Sequence, residues 1–223
     1  MCEIKHLKTK FYGFSFFNSI GKNIMKTFLA IIGLLLFSTV SYAGNLEWEA
    51  KEKSNERTIG GRWMMSNHFN EFVTDADYFG KFQIIFFGYT FCPDVCPTSL
   101  SNIAEAMDEL EGMKEEFQPL FISVDPERDT PTVLREYVRN FHPSIIGLTG
   151  PANLIKRTAD LFKVKYSKVP ASDEKDEHYL IDHSAGVYFM SPGGRFIRKF
   201  AHGLPGKDMA KRIKEIIAES KGQ

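Results

Sequence analysis

Gln83-Ile-Ile-Phe-Phe-Gly88, followed by Tyr-Thr-Phe-Cys92-Pro-Asp-Val-Cys96-Pro97, is the stretch on which the reading of this chain turns. The run to Gly88 is short and apolar, the pattern of a central strand buried on both faces. From Pro97 to Met113 the positions Leu100, Ile103, Ala104, Met107 and Leu110 recur at helical spacing, which leaves Glu105, Asp108, Glu109 and Glu111 facing outward. Pro97 suits the first turn of such a helix, where its missing N–H costs nothing. Both cysteines thus fall between the carboxyl end of a strand and the start of a helix. Ligand sites favour that place in α/β sheets, and a helix N-terminus favours a nearby thiolate, the form that binds metals and attacks disulfides. Pro93 and Pro97 stiffen the loop and hold the two sulfurs near one another.

Outward from this unit, Pro119-Leu-Phe-Ile-Ser-Val124 reads as a second buried strand. Asp125-Pro-Glu-Arg-Asp-Thr-Pro131 is a turn into a helix that runs to about Phe141, capped by Asp129 or Thr130. Turn and cap chemistry accounts for Asp125, Pro126, Asp129 and Pro131 without a function. Another helix follows Pro151, with Leu154, Ile155, Leu161 and Phe162 on one face. Residues 172–178 form a charged loop. Ala185–Met190 and Arg195–Phe200 make a hairpin around Ser191-Pro-Gly-Gly194. Pro205–Ser220 closes the chain as an amphipathic helix, with Met209, Ile213, Ile216 and Ile217 inward. This order is that of a thioredoxin-like α/β fold: a central mixed sheet with helices on both faces. Trp63 and the many phenylalanines belong to its core.

The chain has 223 residues, of which 43% are hydrophobic and 25% charged, with 28 basic against 28 acidic side chains. That composition is globular, and the balance argues against a nucleic-acid binder. Three cysteines exclude a disulfide-framework protein. The totals hide a division. Residues 1–43 carry five lysines and one acid, then the apolar run Phe28–Phe37 and the small-x-small triplet Ser41-Tyr-Ala43. Ten apolar residues fit the core of a secretory signal and fall short of the roughly 20 that span a bilayer. A cleaved leader and a retained membrane anchor both remain open. Met25-Lys26-Thr27-Phe28 is itself a plausible leader start, making residues 1–24 an upstream extension. Residues 44–58 read as a linker and 59–223 as the folded domain. Without the leader the chain is mildly acidic, and only Cys92 and Cys96 remain.

Two cysteines four positions apart admit three readings. They could be a redox dithiol, although the reference motif C-x-x-C is one residue shorter. They could be a structural disulfide of an exported protein. They could be a metal site, since two thiolates are soft ligands that favour Cu(I) or zinc, and structural zinc wants four ligands. A third ligand would separate these. Thioredoxins place a proline in the turn that faces the cysteine loop. Here that turn is Asp182-His183-Ser184, and an imidazole there can complete a two-sulfur, one-nitrogen set. His202 and His178 are candidates for a fourth ligand. Asp94 either tunes the thiolates or forms the turn, and the acidic loop 173–177 is a solvated loop or a docking site for a basic partner.

Together these stretches resemble the Sco (SenC) family: Phe-Gly-Tyr-Thr-Phe-Cys92-Pro-Asp-Val-Cys96-Pro, Ser123-Val-Asp-Pro-Glu-Arg-Asp-Thr-Pro131, Gly147-Leu-Thr-Gly150, Asp182-His183-Ser and Ser191-Pro-Gly-Gly194, over roughly Gly60 to Ala218. The resemblance implies a thioredoxin-fold copper chaperone with Cys92, Cys96 and His183 as ligands of Cu(I) or Cu(II). It implies help in assembling the dinuclear copper centre of cytochrome c oxidase subunit II, or delivery to another copper protein. The alternative within the same resemblance is a thiol–disulfide oxidoreductase that reduces the target's cysteines. Phe91 stands where many family members carry His, which removes a polar group beside the site and leaves the ligand set intact. The expected location is the periplasm or the periplasmic face of the inner membrane, with membrane association through the N-terminus.

Overall fold

The computed structural model describes residues 59–169 and 179–221. The strands are β1 (Met64–Asn67), β2 (Phe72–Thr74), β3 (Phe82–Gly88), β4 (Phe117–Ser123), β5 (Ile146–Thr149), β6 (Tyr166–Val169), β7 (Leu180–His183), β8 (Val187–Met190) and β9 (Phe196–Phe200). The helices are α1 (Val95–Glu109), α2 (Pro131–Val138), α3 (Ala152–Leu161) and α4 (Gly206–Lys221). Seven strands form one mixed sheet in the order β2-β1-β5-β4-β3-β8-β9. Its middle is parallel, β3 beside β4 and β4 beside β5. Antiparallel pairs extend it on both sides, β8 and β9 beyond β3, β1 and β2 beyond β5. β6 and β7 form a separate antiparallel ribbon.

Side-chain alternation decides which face each helix covers. Phe82, Ile84, Phe86 and Gly88 pair with Phe117, Pro119, Phe121 and Ser123 and share one face. On that face Gly88 meets Cys96 of α1, the Phe121 ring lies 5.7 Å from Tyr137 of α2, and α4 packs along α1. The amide N–H of Gly206 at the start of α4 donates to Glu105 Oε2 of α1 at 2.9 Å. On the other face the Phe87 ring packs tilted against that of Phe162, which follows α3, with centroids 5.3 Å apart. Helices therefore cover both faces of a mixed sheet, the thioredoxin-like architecture that the element order implies. Phe86, Phe87, Phe121 and Phe189 are fully buried in it, and each such ring contributes about 1.5–3 kcal/mol by leaving water. Trp63 is also in the core.

Several boundaries shift. The helix after the cysteine loop starts at Val95 rather than Pro97, so Cys96 belongs to its first turn. It ends at Glu109, and Glu111–Glu116 continue as a tighter 3-10 stretch rather than as α-helix to Met113. The helix after Pro131 ends at Val138, short of Phe141. Its cap is Thr130, whose hydroxyl accepts the Val133 N–H at 3.3 Å. Strands β1, β2, β5, β6 and β7 have no counterpart in the sequence reading. They are three or four residues long, too short for alternation to register. Residues 1–58, with the leader and linker, and the acidic loop with His178 lie outside the described residues.

Buried His68 holds the seam between β1 and β5. Its Nδ1 accepts the Gly147 N–H at 2.9 Å, and Arg135 Nε donates to its carbonyl at 3.0 Å. Protonation of Nδ1 would set two donors face to face. Burial, aided by the Arg135 charge, holds the His68 pKa below its ordinary value. Between the folded value and about 6.5 the unfolded chain binds a proton that the folded chain does not, so stability falls as pH falls through that window. Urea unfolding from pH 7.5 downward should show this loss setting in below about pH 6.5. The slope should flatten in His68→Gln; an equal slope in that variant would contradict the assignment.

Candidate metal centre

The cysteine loop is held by its own backbone before any ligand is considered. Leaving β3, the chain turns so that the Cys92 N–H donates to the Tyr89 carbonyl at 3.3 Å. The first-turn N–H groups of a helix have no intrahelical acceptor. That of Cys96 points at the Cys92 sulfur, 3.4 Å away. Cys92 is half-buried and Cys96 buried, and both are free thiols. Gly88 makes the room: a Cβ there would lie 2.6 Å from the Cys96 sulfur and 2.9 Å from the Phe121 ring.

The third member arrives from the ribbon. His183 is the last residue of β7, not part of a turn, and pairs with Tyr166 of β6. Its Nε2 lies 3.4 Å from the Cys96 sulfur. Ser184 anchors the ribbon below it, donating its N–H to the Lys165 carbonyl at 2.9 Å. The potential ligand atoms of Cys92, Cys96 and His183 all lie within 4.8 Å of one another. No fourth His, Cys, Asp or Glu joins them among the described residues. His202 is exposed and its Nδ1 meets Ser99 Oγ at 3.1 Å. Asp94 is exposed at the N-cap of α1 and makes no side-chain cap bond. Two soft sulfurs and one imidazole nitrogen suit Cu(I), whereas a closed zinc site would need one donor more.

The two thiols are driven apart in acidity. The Cys96 thiol's hydrogen bond is the largest influence on Cys92, and the backbone N–H groups of Asp94 and Cys96, with His183, act in the same direction. Together they outweigh burial and lower the Cys92 pKa to about 4. The same hydrogen bond and burial push the Cys96 thiol up. The resting site is therefore a Cys92 thiolate beside a Cys96 thiol.

Residues that satisfy turn chemistry also brace the site. Asp129 is fully buried, and its carboxylate accepts Thr90 N–H (3.1 Å), Thr90 Oγ1 (2.5 Å) and Ser123 Oγ (2.6 Å). It thereby pins the residue before Phe91 to the end of β4. Asp125 accepts Tyr179 Oη at 2.6 Å and Arg128 Nε at 2.5 Å. The Arg128 guanidinium packs between the rings of Phe91 (4.7 Å) and Tyr179 (3.6 Å), tying the ribbon to the cysteine loop. The sequence reading missed Thr90, Arg128 and Tyr179 as site supports. Their partners are 39 or more residues away for Thr90 and 51 or more for Tyr179, beyond any local pattern.

A thioredoxin-like domain with a dithiol loop facing a histidine strand is thus the class that fold and site define. Residues 51–218 match the SCO1/SenC family, and the chain belongs to it. It is 41% identical over 156 residues to the SCO2-like protein RP587 of Rickettsia prowazekii, covering 70% of this chain and 76% of that one. It is 36% identical over 173 residues to the human mitochondrial SCO1 homolog, covering 77% of this chain and 57% of that one. The crystal structure of Arabidopsis thaliana ScoI with copper bound is 38% identical and superposes with a TM-score of 0.67, covering 72% of this chain and 99% of that one.

Alkylation tests the proton distribution. In the native metal-free chain, iodoacetamide should modify Cys92 at a rate that stays nearly flat from about pH 8 to about 5 and drops only as pH nears about 4, with Cys96 unmodified. A rate that climbs tenfold per unit through neutral pH would show an ordinary thiol instead.

Proposed function

We propose that this chain is a copper chaperone of cytochrome c oxidase assembly, which carries copper on Cys92, Cys96 and His183 and passes it to the dinuclear centre of oxidase subunit II. One observation carries the reading: two thiol sulfurs and an imidazole nitrogen meet within 4.8 Å in a member of the SCO1/SenC family. Copper in the structure of the Arabidopsis relative supports it. The metal is cargo. The Cys92 thiolate offers the first bond, and Cys96 gives up its proton as the metal arrives. Cys92 is the more accessible sulfur, so an incoming thiolate of the acceptor reaches the metal from its side. Exchange then proceeds one ligand at a time, and Cu(I) stays coordinated throughout.

In this reading the chain works outside the cytoplasm, in the periplasm or on the periplasmic face of the inner membrane. Residues 1–43 are its leader or anchor, 44–58 a linker and 59–223 the copper-binding domain. The lysines before Phe28 and the small-x-small triplet ending at Ala43 support an export signal. No helix among the described residues is long and apolar enough to cross a membrane.

The opposite acidities of the two thiols also favour a second reading, reduction of the target's disulfide. The Cys92 thiolate would attack the disulfide, and Cys96 would resolve the mixed disulfide. His183 separates the two. The reduced full chain, titrated with Cu(I) under anaerobic conditions against a competing chelator, should bind one ion. His183→Ala should weaken binding by about 100-fold or more, since even outer partners of metal ligands are worth 10- to 100-fold. Dithiol reductase activity should largely survive that change. Copper affinity unchanged in His183→Ala, or a stoichiometry well below one, would defeat the chaperone reading.

A further inference from the structure

The ribbon that carries His183 is not part of the main sheet. Among the described residues β7 pairs with one strand, β6, and its other edge meets Tyr89, where the cysteine loop begins. An edge strand presents unpaired N–H groups, and a buried one needs an acceptor. Ile181 is buried, and its N–H points away from β6 to the hydroxyl of Tyr89, 3.2 Å away. Tyr89 follows β3 directly and is 2% exposed. Its ring stands edge-on to the His183 imidazole, with centroids 5.8 Å apart and planes at 87°. Its carbonyl accepts the Cys92 N–H at 3.3 Å. One residue thus grips the cysteine loop through its backbone and the histidine strand through its side chain.

We propose that Tyr89 is a positioning residue of the metal centre: its hydroxyl docks β7 onto the cysteine loop and so fixes His183 over the two sulfurs. The inference rests on the copper-site reading and adds to it the group that sets the spacing between the two halves. A phenylalanine at position 89 would keep the ring contacts with His183 and remove the acceptor of the Ile181 N–H. β7 would then hold to the domain through the buried Ile181 side chain and, on either side of it, through Ser184 and through Tyr179, which is bonded to Asp125 and Arg128. The imidazole would lose its register against Cys96, while the Cys92 N–H would keep its bond to the carbonyl of residue 89.

The test is a double-mutant cycle on the full chain, with Cu(I) affinity read by chelator competition. Tyr89→Phe should weaken Cu(I) binding about tenfold, the scale of one buried hydrogen bond. In the His183→Ala background the same change should have no further effect, because Tyr89 acts through His183. An unchanged affinity in the single variant, or an equal loss with and without His183, would overturn the proposal. Amide hydrogen exchange in the metal-free chain supplies the second reading. The Ile181 N–H should be protected in the wild type and exchange faster in Tyr89→Phe; an unprotected Ile181 in the wild type would also overturn the proposal, whether or not the variant folds. A wild-type chain that takes up no copper would sink the copper reading itself, and the exchange data would still decide whether Tyr89 docks β7.

Discussion

The Cys96 sulfur sits in a space that exists only because residue 88 has no side chain, and 3.4 Å further on lies the nitrogen of His183. Strand β3 delivers Gly88, the first turn of α1 delivers Cys96, and the β6–β7 ribbon delivers His183, so three elements are fixed by one buried atom. Its surroundings are correspondingly rigid. Asp129 replaces lost water with three hydrogen bonds from Thr90 and Ser123, as a buried carboxylate must. Burial still raises its pKa, against those bonds. These bonds fix the loop before any metal arrives, which limits the ordering cost that binding would otherwise carry.

The site's electrostatics suit a protein that must both hold and release. A helix start and a neighbouring thiol keep Cys92 ionised, and burial keeps the proton on Cys96. Two thiolates side by side would repel; one thiolate and one thiol share a proton until a cation takes its place. Copper loading is therefore coupled to proton release. The buried sulfur and the half-buried one also make the site one-sided, and the proposed exchange uses the Cys92 side. The same asymmetry is what thiol–disulfide exchange requires, so one geometry accommodates both chemistries.

Much of this was legible in the residues. The apolar run of β3, the helical spacing of Leu100, Ile103 and Met107 and the glycine turn of the β8–β9 hairpin each follow a local period or turn rule, and those elements form there with ends shifted by a few residues. Cys92 and Cys96 declared themselves by spacing and position. His183 was harder. Only topology points to it, as part of a turn, whereas in the structure it ends a strand. The ribbon strand β6 reads Tyr166-Ser-Lys-Val169 and buries little, so no hydrophobic signal marks it. Thr90, Tyr89 and Tyr179 were invisible as site residues because their side-chain partners lie far along the chain, and Arg128 because its local bond to Asp125 reads as turn chemistry while its tie to Tyr179 spans 51 residues. A tyrosine between a buried strand and a cysteine loop gives one hint, since a buried hydroxyl usually finds a partner.

In the proposed site, two sulfurs and one imidazole nitrogen hold the copper. X-ray absorption at the copper edge of the Cu(I)-loaded full chain tests it most directly. The geometry of Cys92, Cys96 and His183 predicts a three-coordinate ion with two sulfur and one nitrogen neighbour, the nitrogen signal vanishing in His183→Ala. A shell of sulfur alone in the unmodified chain would contradict it.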